Sequence, residues 1–95
     1  MKYRLKLKTK PSSRQVVLRV LDEIADKYAH LNKTQITFSK TEFISTYWRL
    51  LRQNRIDWIK IETLLRTLRK MAEKGGIVSY HYNKGWYVLD LLMLR

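Results

Sequence analysis

The sequence predicts an α+β domain: three helices, a small antiparallel sheet closed by a C-terminal β-hairpin, and one further strand at the N-terminus. Three observations predict it. Apolar residues recur at helical spacing in three separate stretches, each with a capping or stop signal. Short alternating runs stand at the start of the chain and before the second helix. A Gly75-Gly76 stop is followed by two apolar runs separated by Asn83-Lys84-Gly85, the pattern of a hairpin. At 95 residues and 45% hydrophobic composition, the chain can build one core, so a single domain over 1–95 is expected. Within it, 1–11 reads as a basic strand or arm, 13–90 as the core and 91–95 as an apolar tail.

Each element follows from its residues. In 2–9, Tyr3, Leu5 and Leu7 alternate with Lys2, Arg4, Lys6 and Lys8, the period of a half-buried strand whose charged face suits a sheet edge. Pro11 ends it. Ser12 and Gln15 stand at capping-box spacing, and Val17, Leu21, Ile24 and Tyr28 then share a helical face, giving a helix over 13–30. Ile36 and Phe38 alternate in a brief strand. Ser39 and Glu42 form a second capping-box pattern, opening a helix whose apolar residues are Phe43, Ile44, Tyr47, Trp48, Leu50 and Leu51. Residues 53–55 break that helix. Asp57 is a candidate cap for a third, whose core stripe is Ile61, Leu64, Leu65, Leu68, Met71 and Ala72. Strands over 77–82 and 86–89 then flank the turn.

Twenty Lys and Arg against eight Asp and Glu give a net charge of +12, unevenly spread. Residues 1–14 carry six basic residues and no acid, 15–48 are neutral overall, and 49–74 carry +5. Two basic blocks flanking a neutral middle read as the footprint of a polyanion rather than as a solubility device. Cysteine is absent, which removes disulfides, cysteine zinc sites and a thiol nucleophile. His30 and His81 are far apart without carboxylate neighbours in sequence, Asp22, Glu23 and Asp26 read as a solvated acidic face, and Ser12 and Ser39 read as caps. No catalytic constellation is present, so no enzyme activity, metal or cofactor is expected. No apolar run approaches the ~20 residues of a membrane span, and the alternating start does not read as a signal peptide. A cytoplasmic, nucleoid-associated location is the expectation.

From 13 to 90 the element order resembles the winged helix-turn-helix DNA-binding family, of small archaeal, viral or plasmid type. The resemblance rests on Glu62-Thr-Leu-Leu-Arg-Thr-Leu-Arg-Lys-Met-Ala-Glu-Lys-Gly-Gly-Ile-Val, followed by the turn Asn83-Lys84-Gly85 and the aromatic strand Trp86-Tyr87-Val88-Leu89. Members show an apolar-periodic recognition helix, a glycine stop, an apolar strand, a basic turn and an aromatic closing strand. The first strand and the tail lie outside that pattern, and the 52–58 connection looks longer than the turn of compact members. The resemblance implies double-stranded DNA as partner, with the third helix in the major groove and the wing, through Lys84, on the backbone or minor groove.

The residues themselves carry a parallel argument. A helix about 10–12 Å across fits the major groove. With Leu64, Leu68 and Met71 on the core, Thr63, Arg66, Thr67 and Lys70 fall on the other side. Arg66 can fork onto guanine and Thr63 can meet a base edge. Lys60 stands near the helix start. Arg69 suits a phosphate, and Arg49, Arg52 and Arg55 form a candidate phosphate clamp. Trp48, Trp58 and Trp86 read as packing residues rather than stacking platforms. The expected role is a small transcription regulator acting by occupancy, as a homodimer formed through the first strand or the apolar tail. A plasmid or viral segregation, replication or DNA-organising protein is the alternative, ahead of a protein–protein adaptor or an RNA-binding module. No small-molecule ligand is expected.

Overall fold

A computed structural model describes residues 12–94 of the chain. The strand expected over 2–9 lies outside the described residues. Helix α1 (Ser13–Lys27) opens with a complete capping box: Ser12 Oγ accepts from Gln15 N at 3.1 Å, and Gln15 Oε1 accepts from Ser12 N at 3.2 Å. Two of the otherwise orphaned N–H groups at the helix start are thereby satisfied. Its apolar face, Val17, Val20, Leu21 and Ile24, is fully buried. The helix stops three residues earlier than its periodicity suggests, at Lys27, and a 3-10 turn (Ala29–Leu31) ends on Asn32 in the left-handed region.

Strand β1 (Gln35–Ser39) runs directly into helix α2 (Lys40–Arg52), with Ser39 Oγ accepting from Glu42 N as N-cap. Only half of the second capping box forms. The Glu42 carboxylate instead accepts from Lys27 Nζ at 2.9 Å and from Tyr28 Oη at 2.8 Å, tying the end of α1 to the start of α2. These hydrogen bonds, with the charge of Glu42 behind them, raise both the Lys27 and the Tyr28 pKa. Helix α3 (Ile61–Lys74) follows, then strands β2 (Val78–Tyr80) and β3 (Trp86–Asp90) and a final turn of helix, α4 (Leu91–Leu94). Asp90 caps α4, its Oδ1 accepting from Leu92 N and Met93 N.

Among the described residues the three strands form one antiparallel sheet in the order β1-β3-β2. Phe38 sits opposite Tyr87, and Tyr80 opposite Tyr87 on the other side. Their rings stack in series, Tyr87 lying 5.4 Å from Phe38 and 5.6 Å from Tyr80 between centroids. This inner face, with Ile36, Val78 and Leu89, closes over the buried faces of α1, α2 and α3 to make one core. The turn between β2 and β3 closes through Gly85, whose φ of 85° favours glycine.

The third helix starts later than sequence spacing suggests. Asp57 does not cap it. Residues 57–60 have no regular secondary structure, and Lys60 occupies the N-cap position without a side-chain cap. The connection is held instead by Tyr47, fully buried on α2. Its hydroxyl accepts from Ile59 N and donates to Ile59 O, both at 2.7 Å. Both backbone groups of Ile59 are thereby satisfied, which ties the approach to α3 to the buried face of α2.

Candidate nucleic-acid interface

Helix α3 is amphipathic in the sense its sequence suggests. Leu64 and Leu68 are fully buried, and Met71 and Ala72 nearly so. At about 100° per residue, Arg66 falls opposite that stripe, flanked by Arg69 on the β2 side and Lys70 on the α1 side. All three are exposed, as are Lys60 and Lys74. Among the described residues none of these five cations makes an ion pair, whereas Lys27, Arg19, Arg49 and Arg55 all do. Glu62 and Glu73 share the outward surface, so its charge is mixed but net positive.

Three of the residues read from sequence as DNA contacts have partners within the protein. Thr67 turns sideways: its Oγ1 donates to the Thr63 carbonyl at 3.0 Å and lies in a 2.8 Å hydroxyl–hydroxyl bond with Ser13 at the root of α1. It joins two helices and is half-buried. Arg49 and Arg55 do not form a free clamp. Both hold Glu23 on α1, Arg49 Nη2 at 3.1 Å and Arg55 Nη2 at 3.0 Å, and Arg19 approaches the same carboxylate at 3.9 Å. Burial of Glu23, whose side chain is 15% exposed, pushes its pKa up. The hydrogen bonds and charges of Arg55 and then Arg49 outweigh that effect, so the net shift is downward. Arg52 stays exposed at the last turn of α2, Lys84 is exposed in the hairpin turn, and Thr63 is half-buried at the start of α3.

The hairpin adjoins α3. Tyr80 Oη donates to the Arg69 carbonyl at 3.4 Å, and β2 is in extensive contact with the helix. The aromatic residues near the surface also depart from their sequence reading. Trp58 is 64% exposed in the α2–α3 connection, Trp86 is 41% exposed at the start of β3, and Trp48 packs edgewise on Tyr47 while staying exposed. Tyr82, in the hairpin, is 90% exposed. The pattern misleads for Trp48 because it follows Tyr47 by one residue, about 100° round the helix, and Phe43, Tyr47 and Leu50 already fill the core face.

Comparison with protein-family models, with curated proteins and with solved structures returned no match for this chain. Among the described residues no group of His, Cys, Asp and Glu stands close enough to hold a metal ion, and no helix is long and apolar enough to cross a membrane.

Proposed function

We propose that the chain is a sequence-specific double-stranded DNA-binding protein of winged-helix type, most simply a small transcription regulator working by occupancy. The helix order and the β1-β3-β2 sheet, with its hairpin beside α3, are compatible with a winged helix. The observation that carries the reading is the row Arg66, Arg69, Lys70 and Lys74: exposed, without ion pairs among the described residues, on one surface of a helix anchored by its opposite side. Arg66 has the planar fork that reads guanine O6 and N7, and its neighbours supply phosphate charge. Lys60 and Thr63 extend that surface, Lys84 adds an exposed charge in the hairpin turn, and Thr67, Arg49 and Arg55 have partners within the protein.

The proposal includes a homodimer, since paired modules read paired half-sites. Leu92 and Met93 on α4 are exposed apolar side chains that suit such a contact. Selection from random duplex DNA followed by footprinting tests the proposal. It expects a defined motif, with binding that weakens steeply with salt. Absence of duplex binding at moderate salt, or binding indifferent to salt, overturns it. A footprint that lengthens from one site with protein concentration would replace regulation by a DNA-organising or segregation role.

A further inference from the structure

We infer that the hairpin is a stacking platform for an unpaired base, so that the protein prefers duplex DNA carrying a single-stranded junction over uninterrupted duplex. The inference rests on the proposed duplex binding and goes beyond it. Tyr82 is the starting point. At 90% exposure it is the most exposed of the large apolar and aromatic side chains described, and it contacts the ring of His81 rather than the core, with 4.2 Å between ring centroids. Trp86 stands across the turn, paired to His81 through the bond from His81 N to Trp86 O at 3.1 Å, and its side chain is 41% exposed. Three rings and Lys84 therefore crowd one short turn.

The inner residues of the same hairpin behave differently. Tyr80 and Tyr87 stack on each other and feed into the core, and Tyr80 reaches α3. Among the described residues, Tyr82 has the His81 ring as its aromatic partner and no stacked ring for Trp86 is found, although water-exposed aromatic surface is costly and turns are normally polar. Their composition also fits poorly with groove reading. The minor groove is about 6 Å wide and is read by Arg, Lys, Asn and Gln. Flat rings gain most from the face of a base that has lost its neighbour in the stack, and each such contact is sequence-tolerant. The hairpin supplies charge complementarity locally: the turn carries the exposed Lys84, Gly85 O accepts from Lys40 N at 2.9 Å at the start of α2, and β2, which leads into the turn, packs on α3 through Tyr80. A base immediately beyond the last pair is the ligand these features fit.

The test uses the full chain and two fluorescent DNAs with the same duplex sequence. One has both ends closed by short loops tethered away from the duplex with flexible spacers. The other has a single-stranded extension with 2-aminopurine at its first unpaired position. Anisotropy at fixed salt is expected to show binding about 5- to 150-fold tighter for the extended DNA, the range that one stacked base contributes, with quenching of 2-aminopurine. Tyr82→Ala, which removes an exposed side chain and leaves the core intact, is expected to abolish the preference and the quenching while leaving affinity for the closed duplex unchanged. Equal affinity for the two DNAs overturns the inference and leaves the duplex-binding proposal standing. A preference that survives Tyr82→Ala overturns it as well, since the junction would then be recognised without the exposed ring. Failure to bind either DNA removes both.

Discussion

The buried hydroxyl of Tyr47 is the most economical place to test how the fold presents α3. Tyr47→Phe keeps the ring, its contact with Trp48 and the core volume, and deletes only the oxygen. Two hydrogen bonds to Ile59 disappear, each 2.7 Å long. A typical net contribution is about 0.5–1.5 kcal/mol per bond, and groups left unpaired cost more when water cannot reach them. Ile59 is half-buried, so partial rehydration limits that extra cost. The sum is roughly 1–3 kcal/mol. For a domain of this size that corresponds to a fall in Tm of about 5–20 °C, read by circular dichroism or calorimetry. Because the loss is local, hydrogen exchange of the Ile59 amide should accelerate more than exchange in the β1–β3 ladder. The same variant loosens the connection carrying Trp58 and Lys60, so affinity for a selected DNA site falls with little change in salt dependence. A Tm within a degree of the parent, together with unchanged exchange at Ile59, would show that the paired bonds do not hold the connection.

Four further outcomes follow from the structure. Leu68→Ala, at a fully buried position under α3, should cost about 2–5 kcal/mol in urea unfolding; a loss below 1 kcal/mol would mean the helix is not packed as described. Glu23 has a folded pKa below its unfolded value, so its contribution is present above the unfolded pKa, near 4.5, and is lost as pH falls through the folded value. Stability curves of the parent and Glu23→Gln should therefore differ by roughly 1 kcal/mol near neutrality, a modest figure because its arginine partners are 41% exposed, begin to approach one another as pH drops below the unfolded pKa, and converge only once pH is below the folded value. Arg66→Ala should lose about 1–3 kcal/mol on its selected site and relax the base preference there, measured by competition between site variants. Lys6→Ala and Lys8→Ala, in the basic segment that precedes α1, should weaken all duplexes alike and flatten the salt slope; unchanged slopes would remove that segment from the DNA contact.

Local patterns made the elements legible. Strand β1, the start of α1 and the glycine stop of α3 fall where spacing and caps put them, because the signals that mark each lie within four residues, even though β1 finds its partner in the distant β3. What local patterns leave out is where a side chain chooses a distant partner. Thr67 looks outward on a helical wheel, yet Ser13 waits 54 residues away. Arg49 and Arg55 look like surface cations, yet Glu23 lies 26 and 32 residues before them and takes both. Asp57 is a good cap in sequence, but Tyr47 fixes Ile59 and the helix begins only after Lys60. The tail had a readable signal that periodicity over four apolar residues cannot supply: Asp90 directly before it, the residue type that caps α4.

The division between paired and unpaired cations can be tested as a property of the whole molecule. Residues 12–94 hold fourteen basic and eight acidic residues, a net of +6, so half of the total charge belongs to the described fold. Within that fold the carboxylate of Glu23 alone engages three arginines, whereas α3 keeps its cations without ion pairs among the described residues. Two double variants lower the net charge equally and separate these groups. In Arg66→Gln with Lys70→Gln, two exposed cations vanish and no described ion pair breaks. Tm should stay within about 2 °C, and the slope of log K against log salt should lose about two units if each contacts a phosphate. In Arg49→Gln with Arg55→Gln, Glu23 loses both close partners at a partly buried site. Tm should fall, while the salt slope changes by less than one unit because Glu23 offsets one of the two charges and holds both side chains against α1. A shared loss of slope in both variants would show that only net charge matters, and the opposite assignment would place the DNA contact at the α1–α2 junction and not on α3.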